Sequence, residues 1–295
     1  MQRKLFYRPI SEYFISDKNY LKDFLISDKI FRIFSVLWIL YVVTIYESRF
    51  HFPKELFFPK LNFQLLFLPT FPSRFYFYTI VIIGICSSLL TLFRNKIIYR
   101  FFTLFSVLWL NAFLWSFGSI SHSGHLFVLA HFFSLFLVYN KKISLSNFNR
   151  SINFYHLGLL STYTLAGLWK LVFLIKDTFI PKIETTTWFD PEAVKTNAII
   201  NLLGKEIIPV GWELEMYDIP IIWQIAVLGT FLIQLIAVAA LFSRKLKFLV
   251  IAGLISFHVY NQFFTGTYFL PAIFTLIIVF FPYHLFFKKW QNLNK

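Results

Sequence analysis

The sequence predicts an all-α fold: a polytopic, helical membrane bundle of about eight transmembrane helices, with both termini cytoplasmic. Of its 295 residues 58% are hydrophobic and 14% are charged, against about 25% charged in an ordinary soluble domain. The apolar residues, with 41 phenylalanines among them and a mean hydropathy of +0.65, come in runs near the ~20 residues that cross a bilayer core. Basic residues gather in alternate connections between those runs, as they do where the cytoplasmic side collects lysine and arginine.

The first 28 residues alternate apolar and charged positions without an unbroken apolar core. That suits an amphipathic helix on the inner leaflet better than a cleavable signal peptide. Spans follow at 30–46, 75–93, 101–117, 125–139, 152–175, 219–242, 246–264 and 268–287. The connection 47–74 is expected to face outward even though it carries Arg49, Lys54, Lys60 and Arg74. Its Phe-rich, Pro-bounded stretch LNFQLLFLPTFP suits an interfacial re-entrant segment. The fourth span is short, covering about 22 Å at 1.5 Å per residue, so its outer end is expected to border a cavity.

Arg94, Lys96 and Arg100 follow span two, Lys141, Lys142 and Arg150 follow span four, Arg244, Lys245 and Lys247 follow span six, and Lys288, Lys289 and Lys295 follow span eight. These regions contain no acid, whereas the connection 176–218 holds eight acids against four bases. The chain thus divides into a cytoplasmic amphipathic segment at 1–28, a transmembrane domain at 29–290 that includes the acidic external loop 176–218, and a cytoplasmic tail at 291–295. The membrane accounts for the net charge of +14, so membrane lipids and not nucleic acid are the expected partners. The single cysteine, Cys86, lies inside a span, so neither an internal disulfide nor a cysteine-based metal site is expected.

Ionisable groups inside a bilayer are costly and each needs an account. Between Glu55 and Asp177 there is no acid, which argues against a carboxylate proton relay. Lys170, in STYTLAGLWKLVFLI, lies in the expected outer half of span five. Snorkelling to the headgroups is one reading. The other is a desolvated lysine, because burial disfavours an ammonium and a neutral amine acts as a base. Small neighbours, Ala166 and Gly167, admit close helix packing.

His258, in LISFHVYNQFFTGTYF, shares a helical stripe with Asn261 and Gln262. A lone intramembrane histidine commonly joins helices, but three polar groups on one stripe suit a cavity lining. His122, His125 and His131 surround the start of span four, where a metal reading lacks any nearby acid or cysteine. His156 and His284 fall at cytoplasmic ends, for which an interfacial position is expected. The expected orientation sends Lys170, His125 and His258 to one depth. With Tyr163, Trp169, Tyr260 and Asn261 near them in sequence, they could line an outward-facing aromatic pocket for a flat apolar ligand.

Three segments carry a family resemblance. YTLAGLWKL, closing on Lys170, resembles the segment that bears the catalytic lysine in vitamin K-dependent gamma-glutamyl carboxylase and its bacterial HTTM (horizontally transferred transmembrane) relatives. FHVYNQFF around His258 resembles a second, histidine-bearing segment, and SGHLFVLA resembles a third, the match falling on His122 or His125. The order of the segments and the multi-span setting agree with that family. Trp169 stands where the family has a second lysine, and a chain with one cysteine lacks the family's disulfide.

The resemblance implies a carboxylase-like or epoxidase-like enzyme, of lyase or ligase type, in the cytoplasmic membrane of a bacterium. It implies a reduced quinone (vitamin K or menaquinone hydroquinone) used with dioxygen and carbon dioxide, Lys170 as the base that deprotonates the quinone, and an external peptide or protein as a substrate. His258 and Asn261 would contact an oxyanion or the quinone, and His125 would support them. Two other classes stay open. One is a non-catalytic protein that binds a lipid or quinone or scaffolds partners. The other is a small-molecule transporter, against which stands the lack of a visible inverted repeat.

Overall fold

A computed structural model describes residues 18–118, 124–137, 145–179, 191–204, 206 and 212–286. His122, Lys141, Lys142, the middle of the acidic loop and the 291–295 tail lie outside the described residues. No strand occurs among those described. The fold is an all-α helical membrane bundle in which five helical stretches are long and apolar enough to cross a membrane: Tyr20–His51, Arg74–Phe93, Ile97–Trp115, Ser146–Lys176 and Arg244–Thr265. The helices are α1 Lys18–Tyr46, α2 Arg74–Phe93, α3 Ile97–Trp115, α4 His125–Ser134, α5 Leu145–Phe179, α6 Pro191–Leu203, α7 Trp212–Tyr217, α8 Pro220–Leu235, α9 Arg244–Thr265 and α10 Leu270–Phe280. The described residues form two compact units, one within 18–155 together with 278–286, the other within 156–277.

In the first unit, α1 runs unbroken through the boundary expected at residue 28. Tyr20 and Phe24 are buried rather than laid on a surface. The Tyr20 hydroxyl donates to Asn153 Oδ1 at 2.7 Å, and Phe24 stands edge-on to Phe148 and Tyr155. α2 starts where Ser73 Oγ accepts the Tyr76 N–H at 3.2 Å, a side-chain N-cap.

α1, α2 and α3 meet at Gly84, where an added Cβ would lie 2.8 Å from Ser106 Cβ and 3.0 Å from Ile39 Cδ1. In lipid, close packing and interhelical hydrogen bonds hold helices together. Here the Ser87 and Thr103 hydroxyls are 2.9 Å apart, and Ser88 Oγ donates to the Arg32 carbonyl at 2.9 Å. Gly84→Val is expected to destabilise the protein by about 1–3 kcal/mol through overpacking, seen as a lower unfolding midpoint in detergent.

The connection expected to be re-entrant contains no α-helix, only the short 3₁₀ turns Glu47–His51, Lys54–Leu56 and Gln64–Leu66. It folds onto the end of α3: the Phe58 N–H donates to the Ser116 carbonyl at 2.7 Å, and buried Gln64 donates to the Ala112 carbonyl at 3.1 Å. Phe50, Phe57 and Phe71 all meet Phe113. Protein thus holds this backbone at Phe57, Gln64 and Leu68, while Leu56, Phe58, Leu65 and Leu66 stay exposed. His284 is tied to α1, its N–H donating to Asp23 Oδ1 and its ring Nδ1 meeting Oδ2, each at 2.6 Å.

In the second unit, α6 packs on α8 and α9, burying Ala198, Leu202, Tyr217 and Trp223 against Ile199, Tyr260 and Phe264. α8 breaks at Ile236 into the 3₁₀ turn Ala237–Leu241. The Val238 N–H, freed by that break, donates to Thr164 Oγ1 of α5 at 3.1 Å. Gly266 ends α9 at φ 59°, with its N–H on the Asn261 carbonyl, a left-handed cap that suits glycine. α10 is shorter than its expected span and stops ahead of Pro282, because the residue before a proline is pushed out of the helical region.

Candidate functional site

Tyr163, Gly167 and Lys170 lie four and three residues apart on α5 and share one face. Gly167 sets the spacing, since a Cβ there would fall 2.6 Å from the backbone nitrogen of Leu235 and 2.8 Å from its Cα. Only a glycine lets the α5 and α8 backbones come this close. One turn further on, Lys170 Nζ donates to Gln234 Oε1 at 2.9 Å and lies 5.8 Å from the centre of the Phe257 ring, a cation–π distance. One turn back, the Tyr163 hydroxyl is 2.7 Å from His258 Nε2. The face of α5 thereby meets two consecutive residues of α9.

His258 is 4% exposed, and its ring lies 5.0 Å from that of Phe257 and 4.7 Å from that of Phe269. Its Nδ1 has no hydrogen-bond partner among the described residues, and the same holds for the Tyr260 hydroxyl and the Trp223 Nε1–H. Their rings stand 6.1 Å apart beneath α6. Buried polar groups of this kind call for a partner.

The other sequence-predicted residues are placed differently. Trp169 is 64% exposed and its ring meets Phe173, so it sits on the outside of α5. Asn261 uses an amide N–H on the Phe257 carbonyl of its own helix, at 2.9 Å. His125 belongs to the first unit, where its half-buried ring stands edge-on to Trp115 at 5.2 Å. His156 is 2% exposed.

Sequence reasoning passed over a buried ionic cluster in the first unit. Asp28 Oδ1 accepts from Arg32 Nη2 at 3.0 Å and from Arg100 Nη1 at 3.1 Å, and its Oδ2 accepts from Arg100 Nη2 at 2.7 Å. Such a two-pronged arginine–carboxylate fork combines charge with fixed geometry. Arg32 Nη1 lies 3.3 Å from His131 Nδ1, and His131 Nε2 lies 3.1 Å from Ser35 Oγ. A signal was there to be read: Asp28 and Arg32 are four residues apart, and Arg32 falls inside the expected span 30–46.

No family model, curated protein or solved structure matches this chain. Its chemistry therefore has to be read from the two clusters themselves.

Ser35 and His131 have the residue types of a nucleophile and its base, but their hydrogen bonds run the wrong way. The Ser35 hydroxyl donates to the Phe31 carbonyl at 2.6 Å, so the hydrogen between Ser35 and His131 belongs to Nε2. A guanidinium only donates, so Arg32 requires a lone pair on Nδ1. His131 is therefore a neutral ring with its hydrogen on Nε2, so the nitrogen facing Ser35 has no lone pair to take its proton.

Proposed function

We propose that this chain is an HTTM-type membrane protein, similar to vitamin K-dependent gamma-carboxylase, that acts on a reduced quinone with Lys170 as its base. The observation that carries the reading is the single α5 face that brings Lys170 and Tyr163 onto Phe257 and His258 of α9. The residues around it suit the ligand. His258 Nδ1 is a buried group that an oxygen of a quinone would satisfy, and the Phe257 and Phe269 rings beside it suit a flat ligand. When bound together, dioxygen would supply the oxidising equivalents that convert the reduced quinone to its epoxide, and carbon dioxide would supply the carbon of the new carboxyl group.

Lys170 receives a proton at Nζ, while Gln234 holds that amine in place. The Tyr163–His258 pair orients the ligand. In this reading the site opens to the outer face of a bacterial cytoplasmic membrane, where an external peptide or protein can reach it.

The test is epoxide formation in nanodiscs supplied with reduced menaquinone or vitamin K and oxygen. Lys170→Ala is expected to lower the rate at least about 100-fold, the scale of general-base catalysis, in a protein that still folds and binds quinone. Tyr163→Phe is expected to weaken quinone binding. Bound quinone without epoxide, or full activity in Lys170→Ala, would overturn the proposal.

A further inference from the structure

Among the described residues, the charge of the Asp28 cluster does not balance. Arg32 and Arg100 are each 1% exposed and share one carboxylate. Among the described residues, neither guanidinium meets a second acid. His131, accepting from Arg32, adds no charge, so one positive charge is left over within a membrane helix bundle. Arg32 Nε–H is also buried without a hydrogen-bond partner. Buried charge of one sign calls for a counter-ion.

The cluster lies directly behind the turn that joins α2 to α3. Arg100 is the fourth residue of α3, and its Nε–H donates to Asn95 Oδ1, in the turn, at 2.8 Å. Arg94 and Lys96, on either side of Asn95, are exposed, as is Lys29 beside Asp28 in α1. No side chain caps the start of α3, so its first amides and the positive end of its dipole face the same turn. α2 and α3 are each long and apolar enough to cross a membrane. The turn at 94–96 between them therefore lies at a bilayer surface, level with lipid phosphates.

We propose that this turn binds the phosphate of an anionic phospholipid, whose charge offsets the surplus on the Asp28 cluster. A zwitterionic headgroup brings its own ammonium and leaves the surplus in place, so the site discriminates by headgroup charge. Arg94, Lys96 and the α3 amides contact the phosphate, while Arg32 and Arg100 act through the field they set up behind it.

The experiment titrates the full chain in a neutral detergent with short-chain phosphatidylglycerol or with phosphatidylcholine of the same chains, following the unfolding midpoint and the bound lipid by native mass spectrometry. Phosphatidylglycerol is expected to bind and raise the midpoint, and phosphatidylcholine to do neither. Arg94→Gln combined with Lys96→Gln is expected to weaken phosphatidylglycerol binding by about tenfold or more and to leave the lipid-free protein folded, because both residues are exposed. Arg32→Gln, which removes the surplus charge, is expected to weaken it as well; should that variant not fold, the surface pair decides. Equal binding of the two lipids, or unchanged binding by the Arg94/Lys96 double variant, would overturn the proposal. Equal stabilisation by inorganic phosphate would also overturn it, by assigning a free-anion site.

Discussion

Asp28→Asn is expected to destabilise the protein by about 3 kcal/mol, near the lower end of the range for breaking a buried ion pair, because the Asp28 side chain keeps 20% exposure. The substitution preserves shape but leaves Arg32 and Arg100 facing each other with no carboxylate between them. Arg32→Met is expected to cost less, about 1–2 kcal/mol, since it leaves Asp28 paired with Arg100 through both oxygens and replaces a buried cation by an apolar side chain of similar length. Reversible unfolding of both variants in the same detergent gives the comparison. If Arg32→Met proves as damaging as Asp28→Asn, packing and not charge balance governs the cluster, and the account of a surplus positive charge fails.

The second large effect is at Gly167. Gly167→Val is expected to lower stability by about 3 kcal/mol or more, the upper end for overpacking, because the atoms it meets are the Leu235 backbone and cannot rotate away. The same change pushes α8 from α5 and separates Gln234 from Lys170, so the proposed epoxide formation is expected to fall with stability. Two other glycines serve as controls. At Gly253 the obstructing atoms belong to the Ile233 side chain, at 2.5 and 2.8 Å, so Gly253→Ala is expected to cost less as that side chain turns. At Gly229 nothing lies within 4 Å, and Gly229→Ala is expected to be neutral or stabilising by up to about 1 kcal/mol, the helix preference for alanine. Thermal unfolding of the three variants orders them, and a Gly167→Val protein as stable as Gly229→Ala would remove the close α5–α8 approach from the explanation of the site.

The pairing of Lys170 with Gln234 was half legible in the sequence. A lysine in an apolar run and a small Ala166–Gly167 neighbourhood stood out, and both belong to the helix that carries the site. Gln234 did not stand out, because its role depends on the backbone of α8 lying against Gly167, 67 residues earlier in the chain. The Tyr163–His258 contact spans 95 residues, and nothing local in either segment announces it. Trp169 shows the opposite failure. It is adjacent to Lys170 in sequence, yet a step of one residue turns about 100° around a helix, and it lies on the outer surface at 64% exposure.

Hydropathy and loop charge by themselves determined that the chain is an all-α membrane bundle. They located α2, α3 and α9 to within a few residues, because crossing a bilayer requires a long apolar run, and that requirement is local. They did not determine where α1 begins, since its first turns are polar on one side and helical only because Tyr20 and Phe24 find Asn153, Phe148 and Tyr155. Nor did they distinguish Arg100, which reads as one more basic residue following a span, from a buried partner of Asp28, 72 residues away. The physical reason is the same in each case. The free energy of placing an apolar segment in lipid is a sum over neighbours in sequence, whereas the free energy of a buried charge or polar group is decided by its partner in space, and only the tertiary structure supplies that partner.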